Sequence, residues 1–399
     1  MKHSVDRIQQ ELRRQGLDGW LLFVFRTTNP VADSLLGLPS TGVRTRRCFY
    51  WIPASGEPGR LQHRIESTTL AHLPGTVREY LSYQSLRQEL DALLTGATRI
   101  AMEYSPMGAI PTVSWVDGGT LDLVRDLGKT VVSSAELIQF FEATLTPEQE
   151  SSHLEAAAQL RDIAFAAFQE TAKACATGKP LSEYDLQQWI MSRFAVQGLN
   201  TDHPPIVGIN GNAGNPHYEP AAHGSARITE DCLLLIDLWA KCDRPGAVYA
   251  DQTWMGWTGP RTPPERVTQL WEVVRDARDA ALALVRERWA AKAPVKGWEV
   301  DQAARDVITA AGLGDHFIHR TGHSMHTVDH ASGANMDNLE SKELRPLIPG
   351  TLFSIEPGIY LPDLGYRSEI NVLLSAEGEV VVAEGTLQRE LFRWLPPTH

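Results

Sequence analysis

Between Pro147 and Ala383 one order of elements runs twice: helix, helix, strand, strand. In the first copy Leu154, Ala157, Leu160, Ile163, Ala164 and Phe168 recur at helical spacing over 147–176. A second helix is expected over 182–197, then strands over 232–239 and 247–254. The second copy has helices over 264–289 and 300–311, then strands over 351–355, 367–374 and 380–383. Such a duplication predicts two copies related by a pseudo-twofold.

Acidic residues occupy matching places in the copies. Asp237 and Asp251 belong to the first strand pair, Glu356 and Glu369 to the second, and a histidine-bearing loop precedes each pair, with His217 and His330. A carboxylate inside an apolar strand is costly unless something neutralises it. Ile236-Asp237-Leu238 and Ser354-Ile355-Glu356 are two such contexts. A pseudo-twofold brings all four acids to one sheet face, and four clustered anions demand cations. No strand arginine presents itself as a partner for Asp237 and Asp251.

Residues 319–330 add four of the chain's 13 histidines, His319, His323, His326 and His330. That density points to metal binding or proton transfer. His319 and His323 have the i, i+4 spacing of helical zinc pairs, but no Glu follows His319 and Gly322 disfavours a helix. Four carboxylates and one imidazole exceed the three protein ligands of a catalytic zinc. They suit two divalent ions about 3.5–4 Å apart. Oxygen-rich ligation favours Mn2+, with Co2+, Zn2+ or Fe2+ as substitutes. Metal binding lowers the pKa of water to about 7, so metal-assisted hydrolysis is the expected chemistry.

The first 145 residues carry no such signature. A helix with Val5, Ile8 and Leu12 on one face ends at Gly16; strands follow at 20–25 and 48–52. Helices near 86–94 and 121–127 precede strands at 99–103 and 130–132, so this part is an α/β layer. Glu103 is expected to be a surface carboxylate, and Arg44, Arg46 and Arg47 a solvated edge. Thr146-Pro147 is a good helix start and is taken as the boundary, giving domains 1–145 and 146–399. With 399 residues, two domains are expected. A net charge of −12 argues against a general nucleic-acid binder. Cys48, Cys175, Cys232 and Cys242 form no CxxC pair, and no apolar run is long enough to span a membrane, so a cytoplasmic location is expected. The N-terminus opens into an amphipathic helix without an apolar signal core.

Five stretches carry a family resemblance: Leu235-Ile236-Asp237, Tyr249-Ala250-Asp251-Gln252-Thr253, His319-Arg320-Thr321-Gly322-His323, Ile355-Glu356-Pro357-Gly358-Ile359-Tyr360 and Tyr366-Arg367-Ser368-Glu369. They resemble the pita-bread metallopeptidases, the group of creatinase, methionine aminopeptidase, aminopeptidase P and prolidase, and most of all a bacterial Xaa-Pro dipeptidase. The resemblance implies a C-terminal pita-bread α+β domain behind a creatinase-like α/β domain, and a homodimer. It implies that Asp237 chelates one metal, that Asp251 and Glu369 bridge two, and that His323 and Glu356 complete the second. Glu356 would also pass the attacking water's proton to the leaving nitrogen. His330 would steady the tetrahedral intermediate, His319 and His217 would contact substrate, and Arg367 would pair with a carboxylate ligand or the substrate's C-terminus. The implied substrate is a small peptide with proline after the cleaved bond. A dipeptidase is the first choice and aminopeptidase P the runner-up. A ligand-free binding module and a metal-free creatinase-type hydrolase are disfavoured because all five ligand types are present.

The chain also departs from the family. Where a Gly-Ile-Gly run is common, it has Ser324-Met325-His326, and Thr253-Trp254 replaces a common Thr-Arg. Asp237 is followed by Leu238-Trp239-Ala240-Lys241 rather than a small residue and Gly. His326 is expected to be an exposed loop histidine. Trp239, Trp254 and Trp257 either line the pocket or pack in the core. Gly208, Gly211 and Gly214 match neither GxGxxG nor a P-loop.

Overall fold

The structure is a computed structural model that describes residues 1–39 and 44–393. The chain divides into two compact units, Met1–Glu142 and Ala143–His399.

The first unit contains helices α1 (Val5–Arg14), α2 (Pro30–Leu36), α3 (Tyr83–Leu93), α4 (Gly118–Asp126) and α5 (Ala135–Glu142). Its strands are β1 (Gly19–Val24), β2 (Cys48–Pro53), β3 (Gly59–His63), β4 (Thr76–Tyr80), β5 (Arg99–Met102) and β6 (Thr130–Ser133). They form one mixed sheet in the order β4-β3-β2-β1-β5-β6. The apolar run of β1 follows from its central place: Trp20, Leu22 and Val24 join the core on one face, Leu21 and Phe23 the core on the other.

Two expectations fail in this unit. Glu103 is not a surface group: it is fully buried, and its carboxylate accepts from Trp20 Nε1 at 2.5 Å and Asn29 Nδ2 at 2.7 Å. Arg44 is not on a solvated edge either. It is buried and forms a two-pronged pair with Asp33 at 2.8 and 3.0 Å, while Arg46 is exposed. In both cases a partner distant in sequence makes burial tolerable.

The second unit begins with α6 (Pro147–Ala176), capped by Thr146, whose hydroxyl accepts from Gln149 N while the Gln149 side chain returns the bond. Then come α7 (Glu183–Gln197), β7 (Leu199–Asn200), β8 (Ile206–Ile209), β9 (Leu233–Cys242) and β10 (Ala250–Trp257). The second copy has α8 (Glu265–Ala290), α9 (Gly297–Ala310), β11 (Ser324–Met325), β12 (Thr351–Ile355), β13 (Gly358–Tyr360), β14 (Gly365–Arg367), β15 (Ile370–Leu374), β16 (Val380–Val382) and β17 (Phe392–Arg393). The run expected as one strand over 367–374 is thus two, broken at Ser368-Glu369. The two larger sheets are β17-β10-β9-β7, with β8 paired to β9, and β11-β12-β15-β16; β13 and β14 form a separate two-stranded sheet. The sheets meet along β10 and β15, where Asp251 N donates to Asn371 Oδ1 at 2.9 Å and Glu369 N to Thr253 O at 3.3 Å.

Period-2 geometry then sorts β9. Leu234, Ile236, Leu238 and Ala240 pack in one core with Ala157, Leu160 and Ala164 of α6. Leu233 and Leu235 face the other way, and so do Asp237 and Trp239. Asp237 is therefore forced onto the face that α6 does not cover.

Candidate metal centre

Strand register assembles the acids. Asp237 pairs with Thr253 and Trp239 with Asp251 across β9 and β10, so these four side chains share one sheet face. Ile355 pairs with Ile370 at the end of the β12–β15 ladder, and Glu356 and Glu369 are the next residue on each side of that pair. His323 leads into β11, which pairs with β12. Its backbone is pinned by Ser354: His323 N donates to Ser354 Oγ at 2.9 Å, and Ser354 N donates to His323 O at 2.9 Å. Gly322 permits this approach, because a Cβ there would stand 2.0 Å from Ser354 O.

The five residues converge. His323 Nε2 lies 3.6 Å from Asp251 Oδ2 and 3.4 Å from Glu356 Oε1. Ligand atoms of Asp251, His323 and Glu369 all lie within 4.8 Å of one another. A cavity of about 570 Å³ is lined by Asp237, Asp251, His323, Glu356 and Glu369 together with His217, His319, His330, Arg367 and Trp239. The nine residues given a metal, catalytic or substrate role in the sequence are all on that wall.

Its electrostatics are those of anions crowded out of water. Burial, then Glu369 and further carboxylates, push Asp251 well above the usual carboxylate range. Burial, then Glu356 and Asp237, do the same to Glu369. Burial also raises Glu356, against the opposing pull of His323 and Arg367, and burial lowers His323. Asp237 Oδ1, Asp251 Oδ1 and Glu369 Oε1 are buried without any hydrogen-bond partner. Unpartnered buried carboxylate oxygens around a largely neutral imidazole are a donor set that fits divalent cations.

The expectation that no strand arginine partners Asp237 fails: Arg367, expected to pair with a carboxylate ligand or the substrate's C-terminus, pairs with Asp237 itself. From β14 it donates to Asp237 Oδ2 through Nη2, to Thr253 Oγ1 at 3.0 Å and to Tyr360 OH at 2.9 Å. The Thr253 hydroxyl in turn donates to Glu369 Oε2 at 2.9 Å. Thr253 and Tyr360 stand inside the family-like stretches without a role that the sequence alone indicates. Thr253 follows Asp251 by two, and period 2 alone puts it on the same face.

The histidines differ from one another. His319 Nδ1 is 2.7 Å from Arg320 O, a carbonyl, so Nδ1 carries the proton and Nε2 accepts from Tyr360 OH at 2.7 Å. Burial and then Arg367 push its pKa down to about 3. His330 is 64% exposed, its ring 4.0 Å from that of His323 between centroids. His217 is also exposed. His326 is not the exposed loop histidine expected: it is buried, and its carbonyl accepts from Tyr249 N at 2.9 Å. Trp254 and Trp257 belong to the cores, and Trp239 to the cavity wall.

The metallopeptidase family M24 profile matches residues 152–376, and the chain belongs to that family. It is 30% identical over 237 residues to an Xaa-Pro dipeptidase of Lactobacillus helveticus, covering 58% of each chain. The chain spans about half the length of the curated relatives it matches. Two solved structures align over nearly the whole chain. Dipeptidase PepE from Mycobacterium ulcerans is 22% identical with a TM-score of 0.67, covering 98% of this chain and 96% of its own. A dipeptidase from Pyrococcus horikoshii is 26% identical with a TM-score of 0.59, covering 99% and 100%. The pita-bread fold and two-part α/β architecture follow from these likenesses. No helix among the described residues is long and apolar enough to cross a membrane.

Proposed function

We propose that this chain hydrolyses the peptide bond before proline in small peptides, as a dipeptidase, with two divalent ions held by Asp237, Asp251, His323, Glu356 and Glu369. The reading rests above all on the buried, unpartnered oxygens of Asp237, Asp251 and Glu369. By family resemblance Asp237 serves one ion, Asp251 and Glu369 both, and His323 and Glu356 the other. Manganese suits the oxygen-rich set, and such a pair would supply Lewis acidity and a hydroxide nucleophile at neutral pH.

The chain's own groups do the rest. Glu356 takes the proton of the attacking water and delivers it to the leaving nitrogen, its Oε1 oriented by the Ser354 hydroxyl at 3.0 Å. His330, exposed on the wall, donates to the carbonyl oxygen as charge builds there. His319 has both ring nitrogens engaged and acts through Tyr360 to fix Arg367, which holds Asp237 in place. Ile206, Trp239 and Ile318 offer apolar wall for the proline ring. The names of the dipeptidase relatives support a dipeptidase over aminopeptidase P. Four free cysteines accord with a cytoplasmic location, and the resemblance carries a homodimer with it.

Manganese-reconstituted protein assayed on Ala-Pro beside Ala-Pro-Ala tests the reading. Turnover of Ala-Pro is expected. Turnover of the tripeptide alone would make the chain an aminopeptidase P, and turnover of neither would overturn the proposal.

A further inference from the structure

Two carboxylates of the cavity fall outside the five-residue set, Asp329 and Glu340, and Glu340 Oε1 already accepts from Arg320 N at 3.3 Å. Asp329 lines the same wall, yet nothing in the proposed reaction uses it. Its Oδ1 is buried and meets no hydrogen-bond donor, the condition shared by Asp237, Asp251 and Glu369 on that wall. Its side chain is 15% exposed, and its Oδ2 lies 3.4 Å from His330 Nε2. Ligand atoms of His323, Asp329 and His330 lie within 4.8 Å of one another. Two imidazoles and a carboxylate are a zinc donor set with a fourth position open to solvent.

We propose that Asp329 and His330, with His323 as a shared third ligand, form an accessory cation site at the rim of the cavity that inhibits hydrolysis when filled. The site stands on its own geometry; its inhibitory effect rests on the function proposed above. Inhibition follows from sharing. The imidazole of His323 also faces Asp251 and Glu356 through Nε2, at 3.6 and 3.4 Å, so an ion at the rim draws it away from the pair while the carboxylates keep both ions. An ion here also withdraws His330 from the substrate. Arg320 opposes filling: its Nη2 donates to His330 Nδ1 at 3.3 Å. An ion bound to the imidazole leaves the other ring nitrogen protonated, a donor facing a donor, so Arg320 must turn away.

The experiment is equilibrium dialysis of manganese-loaded protein against a zinc series, with bound metals counted by mass spectrometry. Parallel assays follow Ala-Pro hydrolysis. At saturation the parent is expected to hold about one metal ion more than Asp329→Ala. Asp329→Asn, which keeps the side-chain volume, is expected to match Asp329→Ala. Arg320→Met is expected to fill the site at lower zinc. Excess zinc inhibits the parent, and both Asp329 variants need about tenfold more zinc for the same inhibition. Their activity without added zinc stays within about threefold of the parent. Equal metal counts in the parent and both Asp329 variants would overturn the site. Different counts without inhibition of an active parent would overturn its inhibitory effect. Different counts with no hydrolysis by any form would leave the site standing and remove the peptidase reading instead.

Discussion

Glu103 in the first unit and Glu369 in the second are both carboxylates buried away from water, and both are pushed up by that burial. Their surroundings differ. Glu103 receives an indole N–H and an amide N–H, one on each oxygen, and ends at about 7. Glu369 has one hydroxyl on Oε2, nothing on Oε1, and the charges of Glu356 and Asp237 close by. Glu384 makes a useful third case. Its Oε2 is buried and unpartnered too, but burial alone raises it, to about 8, and a single proton neutralises it. Burial of an acid therefore says little by itself. Unpartnered oxygens crowded around one imidazole are what call for multivalent cations.

The contrast can be broken or sharpened by substitution, beginning with the largest effect. Glu356→Gln should cut Ala-Pro turnover 100-fold or more, about 3 kcal/mol, with the melting temperature little changed, because the proton carrier and one charged metal ligand are lost while the side-chain volume is kept. Steady-state kinetics beside thermal denaturation check this, and near-parental turnover removes Glu356 from that role. Glu103 should make stability depend on pH. It titrates near 4.5 when unfolded and at about 7 when folded. The native state thus binds the proton more tightly. Stability is full below 4.5, falls as pH rises to 7 and is level above, a loss of about 3 kcal/mol. Melting followed by tryptophan fluorescence from pH 4 to 8 should show this fall, and Glu103→Gln should remove that slope.

Next in size, Glu369→Gln should stabilise the metal-free protein by about 2 kcal/mol above neutral pH while weakening manganese binding, since it relieves repulsion and deletes a ligand. Denaturant titration with and without manganese reads both signs; destabilisation of the metal-free form would mean that Glu369 is a structural acid like Glu103. Smallest, His330→Ala should lower kcat about tenfold with little change in KM. A raised KM at constant kcat would make His330 a binding residue.

What could be read from the sequence follows the range of the interactions involved. The acids in β9 and β10, just after β12 and just before β15 are legible from their matching places in the two strand pairs, and Asp237 and Glu356 also from their apolar neighbours. The long helices α6 and α8 were legible from their spacing and, for α6, its Thr-Pro start. The short elements α2, β3, β4 and α5 are not evident in the sequence: β3 and β4 carry polar and charged residues in place of an apolar run, and α2 and α5 span no more than 8 residues. Glu103 was misjudged because its indole partner is 83 residues away, and Arg367 lies 130 residues from Asp237. His326 was misjudged because the loop that carries it folds inward, its amide and carbonyl bonded to Val328 and Tyr249. Long-range partners decide whether a buried charge is tolerated, and a local pattern does not contain them.

The central claim is that Asp237, Asp251, His323, Glu356 and Glu369 hold a pair of divalent ions. Anomalous scattering from crystals of the manganese-reconstituted protein tests it most directly. Two peaks about 3.5–4 Å apart, among these five side chains, are the expected result. A single peak, or none among them, would contradict it.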